Sequence, residues 1–251
     1  MDKERVRNYM EQAGIGLMDS QAAAFVRYYE LLVEWNSFMN LTAITDAEEV
    51  LIKHFADSCA PGFRTAAAAP AGQGPVFPGD NKARLLDVGS GAGFPAIPLK
   101  IAFPDLRITM LDSLGKRVNF LKEVISELGL KEITALHGRA EDLARDPGHR
   151  ETYDYVVSRA VANMNTLSEY CLPFVKEGGY FLAYKSLEYL SGGEREGSEK
   201  AIGLLGGRTV EVRQIELPEW DAKRCLVFIK KESPTPKKFP RKAGLPSKEP
   251  L

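Results

Sequence analysis

An α/β protein is what this 251-residue sequence predicts: a mostly parallel sheet with an antiparallel last strand, preceded by a helical segment. Three observations carry that prediction. Residues 84–95, Arg-Leu-Leu-Asp-Val-Gly-Ser-Gly-Ala-Gly-Phe-Pro, read as a short buried strand, a glycine turn and a helix start. From there on, short apolar runs alternate with amphipathic stretches, as repeated βα units do. Residues 1–60, by contrast, carry helical periodicity alone.

Within residues 1–60, Ala22 to Trp35 sets Phe25, Val26, Tyr29, Leu32 and Val33 at i, i+3, i+4 spacing on one apolar face. Asn36 to Asn40 breaks the pattern. Thr45 or Asp46 caps the next helix, and Glu48 and Glu49 in its first turn complement the helix dipole. On that helix His54 and Asp57 share a face, which suits either a structural hydrogen-bonded pair at a domain junction or a catalytic one. Residues 61–83, rich in Ala, Gly and Pro, predict a linker or loop.

The α/β series begins with a strand over 84–88. Gly89, Gly91 and Gly93 let the backbone turn tightly and approach a ligand, and Pro95 suits the first turn of a helix over about 95–103. The N-terminus of that helix offers free N–H groups to whatever binds there. Strand two, Leu106 to Leu111, delivers Asp112, where a carboxylate accepts hydrogen bonds from ribose hydroxyls. A helix over Lys116–Leu128 stops at Gly129. Strand three, Ile133 to His137, sets Ala140 and Glu141 beyond its carboxyl end, placed to meet an adenine; Glu141 reads equally as a helix N-cap acid. Strand four, Tyr153 to Val157, leads into Ser158-Arg159-Ala160. A helix over Leu167–Val175 and a Gly178-Gly179 turn precede strand five, Tyr180 to Tyr184, which delivers Lys185. Residues 187–206 read as a helix interrupted by glycines, and Thr209–Ile215 with Arg224–Ile229 as a closing antiparallel pair. The expected division is a helical cap over 1–60, the linker, an α/β domain over 84–231 and a tail over 232–251.

Composition, with 44% hydrophobic and 27% charged residues, is that of an ordinary soluble globular chain. No apolar run reaches the ~18 residues that span a bilayer, and the N-terminus lacks a signal-peptide core. Cys59, Cys171 and Cys225, like His54, His137 and His149, are scattered without metal-ligand spacing. A cytoplasmic protein with reduced thiols, no membrane partner and no metal is the expectation. The net charge of −1 hides an asymmetry, for Lys230–Leu251 carries seven Lys/Arg against two Glu. A basic tail points to an anionic partner, with Lys237, Lys238, Arg241 and Lys242 as candidate nucleic-acid contacts. Prolines such as Pro234, Pro236, Pro240 and Pro246 argue against a regular helix, so the tail reads as a strand laid along phosphates or as a solvated end.

Phe94 stands where the dinucleotide fingerprint G-x-G-x-x-G needs its last glycine. A glycine triplet spaced by two, with an acid two residues ahead, looks instead like the first motif of S-adenosylmethionine-dependent methyltransferases. Nearly the whole chain resembles the bacterial small-subunit ribosomal RNA methyltransferase G family, also called glucose-inhibited division protein B. The residues that carry the resemblance are Leu31–Asn36 with Asn40–Ile44, His54–Ser58, Asp87–Pro95 with Ile97–Leu99, Asp112–Arg117, Gly138–Glu141, Ser158–Ala160 and Lys237–Pro246. The glycine motif is common to many methyltransferases; the Trp-Asn, His-x-x-Asp-Ser and Pro-Arg-Lys-Ala-Gly signatures together are specific. Ala96, where the family usually has Gly, Ser186, where Gly usually follows the lysine, and a longer 61–83 insert are departures.

The resemblance implies a Rossmann-like class I methyltransferase fold and methylation of guanine N7 in 16S rRNA. It implies S-adenosylmethionine as cofactor and 16S ribosomal RNA or the small ribosomal subunit as partner; a monomer is expected. By similarity the cofactor contacts are Gly89, Phe94, Ala140, Glu141 and Arg159, with Asp112, and Gly91 and Gly93 complete the turn. Lys185 and Arg159 are the candidate catalytic groups, suited to phosphates or the guanine O6 edge. Guanine N7 has a lone pair and no proton to lose, so no general base is required. Ser158-Arg159-Ala160-Val161 after strand four is unlike the Asn/Asp-Pro-Pro-Tyr/Phe of exocyclic-amine methylation, and no Pro-Cys nucleophile motif is present. Two readings compete. A methyltransferase acting on a small molecule or protein leaves the basic tail unexplained. A nicotinamide-dependent oxidoreductase would want G-x-G-x-x-G and a Tyr-x-x-x-Lys pair.

Overall fold

The computed structural model describes residues 1–60 and 83–251, so the expected 61–83 linker lies, apart from Ala83, outside the described residues. A seven-stranded sheet in the order β3-β2-β1-β4-β5-β7-β6 forms the middle layer. Strands β1 (Arg84–Val88), β2 (Arg107–Asp112), β3 (Ile133–His137), β4 (Tyr153–Arg159) and β5 (Val175–Ser186) run parallel. Strand β7 (Trp220–Lys231) lies antiparallel between β5 and β6 (Gly207–Leu217). Strand β5 starts five residues earlier than its apolar run, because Gly178-Gly179 makes no turn out of the sheet. Tyr153 pairs with Val175 and Tyr155 with Tyr180, and the intervening residues bulge within the strand.

Helices α1 (Lys3–Gln12) and α2 (Asp19–Met39) precede the sheet. Helix α2 runs through the expected break at Asn36 and ends where Asn40 turns left-handed, with φ at 51°. Its buried stripe is Ala22, Phe25, Tyr28, Leu31 and Leu32, not the Tyr29 and Val33 of the sequence reading. The phenol of Tyr28 explains the choice, because inside the core it donates to the Ala92 carbonyl in the glycine turn. The next helix, capped by Asp46 through the N–H groups of Glu48 and Glu49, changes winding along its length. Residues Ala47–Val50 (α3) are α-helical, Leu51–Ala56 are π-helical, and Asp57–Cys59 (α4) return to α.

Helices α5 (Ala96–Ala102), α6 (Gly115–Glu127) and the single turn α7 (Ala140–Leu143) alternate with the first strands. Helix α8 (Met164–Cys171) follows β4, and α9 (Glu188–Ser191) and α10 (Glu194–Leu204) follow β5. Alternate strand residues bury on opposite faces, as a period of two requires. Leu85, Val157, Leu182 and Phe228 join one apolar cluster with Phe25, Tyr28 and Phe55 of the N-terminal helices. Leu86, Val156, Phe181 and Val227 join another with Leu167 of α8, Ile202 of α10 and Phe239.

Phe239 belongs to the expected solvated tail, and here the structure corrects the sequence. Thr235 and Phe239 are buried. The Arg150 guanidinium donates to the carbonyls of Thr235 (2.7 Å) and Phe239 (3.0 Å), and Arg145 donates to that of Pro240. Fully buried Lys231 donates to Glu151 (2.9 Å), to the Thr235 hydroxyl (2.5 Å) and to the Leu172 carbonyl (3.0 Å). The chain closes on a helical turn, α11 (Leu245–Lys248), whose proline sits in the first turn where its missing N–H is harmless. Prolines therefore shape a docked segment, and the charge excess alone was a poor guide to its conformation.

Candidate functional site

The sheet reverses its strand order between β1 and β4, and a ligand crevice opens beyond the carboxyl ends of the strands at such a point. The glycine turn stands there. Its backbone hangs from β2, with Gly89 N–H (2.8 Å) and Ser90 N–H (3.1 Å) on the Leu111 carbonyl. Asp112 ends β2 as expected, buried. Its carboxylate accepts from Gly91 N–H (2.8 Å) and Leu114 N–H (2.9 Å), with Arg117 at 3.7 Å. The glycines differ in what they leave room for. A Cβ on Gly93, at φ +95°, would meet Ile97 at 2.4 Å and the Tyr28 hydroxyl at 2.9 Å, so that position serves packing. A Cβ on Gly91, at φ +59°, would meet nothing nearer than the Gly89 carbonyl at 3.9 Å. The space beside Gly91 is open.

Asp87, two residues ahead of the turn, is fully buried, and among the described residues neither of its carboxylate oxygens has a hydrogen-bond partner of good geometry. Burial pushes its pKa up to about 8; Ser90 and the Ala96 N–H act against this too weakly to offset it. A buried acid so weakly served by donors, beside an open glycine turn, suits a ligand that brings hydrogen-bond donors and positive charge.

Phe94 turns the other way. Its ring stacks on His54 at 4.4 Å, with Tyr28 at 5.7 Å and the Arg159 guanidinium carbon at 5.2 Å. The side chain is part of the helix–sheet contact and the N–H donates to the Ser90 carbonyl at 3.1 Å, which leaves the Phe94 carbonyl for a ligand. Arg159 ends β4 and reaches back to the π-helical segment. It donates to the Lys53 carbonyl (3.1 Å), the Asp57 carboxylate (2.6 Å) and His54 Nδ1 (2.8 Å). A guanidinium has no acceptor, so Nδ1 accepts, and Nε2–H of a neutral imidazole donates to the Thr42 hydroxyl at 2.9 Å. Burial first, and then the Arg159 charge, hold the His54 pKa down at about 4. Asp57 also takes Arg224 of β7 at 3.2 and 3.3 Å. His54 and Asp57 are thus brought together through Arg159 rather than by direct bonding to each other.

Ala140 and Glu141 open α7 past the end of β3, as the sequence reading has them. Yet Glu141 is buried and its Oε1 accepts from Gly244 N–H at 2.7 Å, so it neither caps α7 nor stands free; it fastens the docked tail. Lys185 is no solvent-facing strand end. With its side chain 13% exposed it bonds Glu194 Oε1 at 2.6 Å, inside a cleft of about 400 Å³. The cleft lies between residues 160–162 after β4 and residues 185–194 after β5, with Arg224 on its wall. Of the four candidate nucleic-acid contacts, Lys237, Lys238 and Lys242 are exposed. Arg241 is corrected: its guanidinium is spent on the buried Glu169, at 2.7 Å.

An S-adenosylmethionine-type cofactor fits this set. The open side of Gly91, the donor-seeking Asp87 and the second lone pairs of Asp112 suit an adenosine ribose and a cationic amino acid end. Sequence reasoning missed Glu194 and Arg224, whose roles depend on β5 and β7 lying side by side. It also missed Glu169, an interior acid inside an apolar helix pattern. Among the described residues, no helix is long and apolar enough to cross a membrane, and no cluster of three His, Cys, Asp or Glu could hold a metal.

Comparison with known proteins gives the family. Residues 21–219 match the family model described as rRNA small subunit methyltransferase G. Curated relatives named ribosomal RNA small subunit methyltransferase G include one from Alkaliphilus metalliredigens, 47% identical over 96% of this chain and 95% of its own. Another, from Lachnoclostridium phytofermentans, is 50% identical over 96% of this chain and 94% of its own. Among solved structures, a variant of a 16S rRNA adenine-N1 methyltransferase from Catenulisporales acidiphilia shares the fold, with a TM-score of 0.51 and 13% identity over 62% of this chain and 87% of that one. The chain belongs to the rRNA small subunit methyltransferase G family.

Proposed function

We propose that the protein methylates N7 of a guanine in 16S ribosomal RNA, acting in the cytoplasm on the RNA or on the small subunit. The observation that carries this reading is that residues 160–162 touch both places: Ala160 and Ala162 line the Lys185 cleft, and Val161 lies over the glycine turn, whose Gly91 side is open. Val161 covers Gly89 so closely that a Cβ there would come within 2.5 Å of its methyl. S-adenosylmethionine supplies an electrophilic methyl group on its sulfonium. The chain's own work is to hold and orient. Asp112 takes the ribose, Asp87 answers positive charge, and Gly91 admits the ligand to the backbone, while Gly89 stands under Val161. Arg159, fixed by three partners, keeps the cofactor side in place. Lys185 offers a cation to the guanine O6. No side chain need remove a proton, since N7 carries none; orientation is what such a site must provide.

Incubating the protein and labelled S-adenosylmethionine with small ribosomal subunits and with naked 16S RNA, then mapping N7 by chemical cleavage, tests the reading. Labelling of protein or small molecules but not RNA would sink it. Gly91→Val separates site from scaffold. Its new Cβ has space, the left-handed backbone costs about 1–2 kcal/mol, and the fold is expected to survive while calorimetry detects no cofactor binding. Unchanged affinity would remove the glycine turn from the site.

RNA is held in part by Lys237, Lys238 and Lys242, which are free of the docking contacts that occupy Arg241. Replacing all three by Gln should weaken RNA binding. The log–log salt slope should flatten by about 2–3, at roughly 0.7–0.9 for each phosphate that no longer has a cation beside it. An unaltered slope would leave the lysines as solvent-facing charge.

A further inference from the structure

We propose that Glu194 selects the target base, its carboxylate receiving the N1–H and exocyclic amino group of the guanine while its partner Lys185 meets O6. This rests on the reading of the protein as a guanine-N7 methyltransferase. Glu194 opens α10 and lines the cleft beside Lys185, with its side chain 30% exposed. Among the described residues, both of its hydrogen bonds use one oxygen. Oε1 accepts from Met164 N–H at 2.6 Å and from Lys185 Nζ at 2.6 Å. These anchors belong to the first residue of α8 and to the end of β5, so the carboxylate is pre-positioned across the cleft, and Oε2 remains for a ligand.

The order of groups on guanine matches this pair. N7 and O6 are acceptors on the major-groove edge, and the N2 amino group is a donor on the other side of the ring. For N7 to face the cofactor across residues 160–162, the opposite edge must point at the far wall, where α10 begins. From O6 onward that edge reads acceptor, donor, donor. Lys185 reads donor, and Glu194 Oε2, with two lone pairs, reads acceptor to both N–H groups. Adenine presents a donor and then an unprotonated N1, which would set its amino group against the ammonium and its N1 lone pair against the carboxylate. A carboxylate in a cleft meant for a polyanion repels phosphates. Lys185 offsets that charge, and base donors give it a use. Arg224, on the same wall, is already committed to Asp57.

The experiment places inosine, which keeps N7, O6 and N1–H but lacks the N2 amino group, at the mapped target position of ligated small-subunit RNA. The parent protein should methylate guanine about 10–100-fold better than inosine in kcat/KM, the range for one hydrogen bond to a charged group. In Glu194→Gln the preference should fall close to one, with guanine turnover reduced at least tenfold and S-adenosylmethionine affinity retained. In Glu194→Asp part of the preference should return. If the parent treats inosine and guanine alike, the assignment is overturned without any variant. If Glu194→Gln slows both bases equally, Glu194 only steadies Lys185, and the assignment is again overturned. A parent that methylates no guanine N7 in this RNA overturns the functional reading itself, and that is seen before any variant is compared.

Discussion

Arg241→Ala is expected to destabilise the protein by about 3–5 kcal/mol, the range for removing one partner of a buried ion pair. Glu169 is the reason. It lies fully buried on α8, and its two oxygens accept Arg241 Nε at 3.0 Å each, Nη2 at 2.7 Å and the backbone N–H at 2.7 Å. Alanine keeps the backbone bond and strips away the rest, which strands a carboxylate in apolar surroundings. Urea titration measures the loss; a deficit under about 1 kcal/mol would mean that the pair behaves like an exposed one. Replacing both residues by Met should recover most of the stability, since apolar side chains of similar volume substitute for buried ion pairs with little loss. Deleting residues 237–251 would remove this anchor along with the exposed lysines and confuse RNA binding with folding.

That segment also marks where the sequence was silent. Strands with an unbroken apolar run and a terminal acid, such as those ending at Val88 and Asp112, were legible because period and turn chemistry agree locally. The glycine turn was legible for the same reason, although which glycine faces open space depends on Ile97 and Tyr28, residues no motif mentions. Partners drawn from distant parts of the chain were not legible. Glu141 finds Gly244, Glu169 finds Arg241, and Asp57 finds Arg224, each more than seventy residues away. A charge count could mark residues 230–251 as basic but not separate Arg241, used inside, from Lys242, left outside. Glu194 gave no signal at all, because a glutamate after two glycines is an ordinary helix start.

Asp57→Ala should destabilise by about 3 kcal/mol, the lower end of the buried-pair range, because Arg224 keeps 23% of its side chain exposed. One carboxylate, 3% exposed, stands between Arg159 and Arg224. Without it two guanidinium groups face each other with no counter-charge, and Arg159 keeps only the Lys53 carbonyl and His54. Cofactor affinity should fall together with stability, because Arg159 is a proposed cofactor contact and would lose its fixed position. Calorimetry with S-adenosylmethionine on protein shown by denaturation to be folded separates the two effects. A variant that binds as tightly as the parent would show that Arg159 needs no such support.

Asp57 is correctly aimed because the helix before it is wound too loosely. Each α-helical residue advances about 100° around the axis, and a π-helical turn accommodates one residue more than an α-helical path would hold. A version of this chain one residue shorter within 51–56 could close into an unbroken α-helix with its ladder intact, yet Asp57 would swing about a quarter turn away from both arginines. Length, more than composition, is therefore what a lineage carrying this helix must preserve. Side-chain exchanges along it can be absorbed one at a time, whereas a single-codon deletion would leave the helix whole and the two arginines without their shared acid.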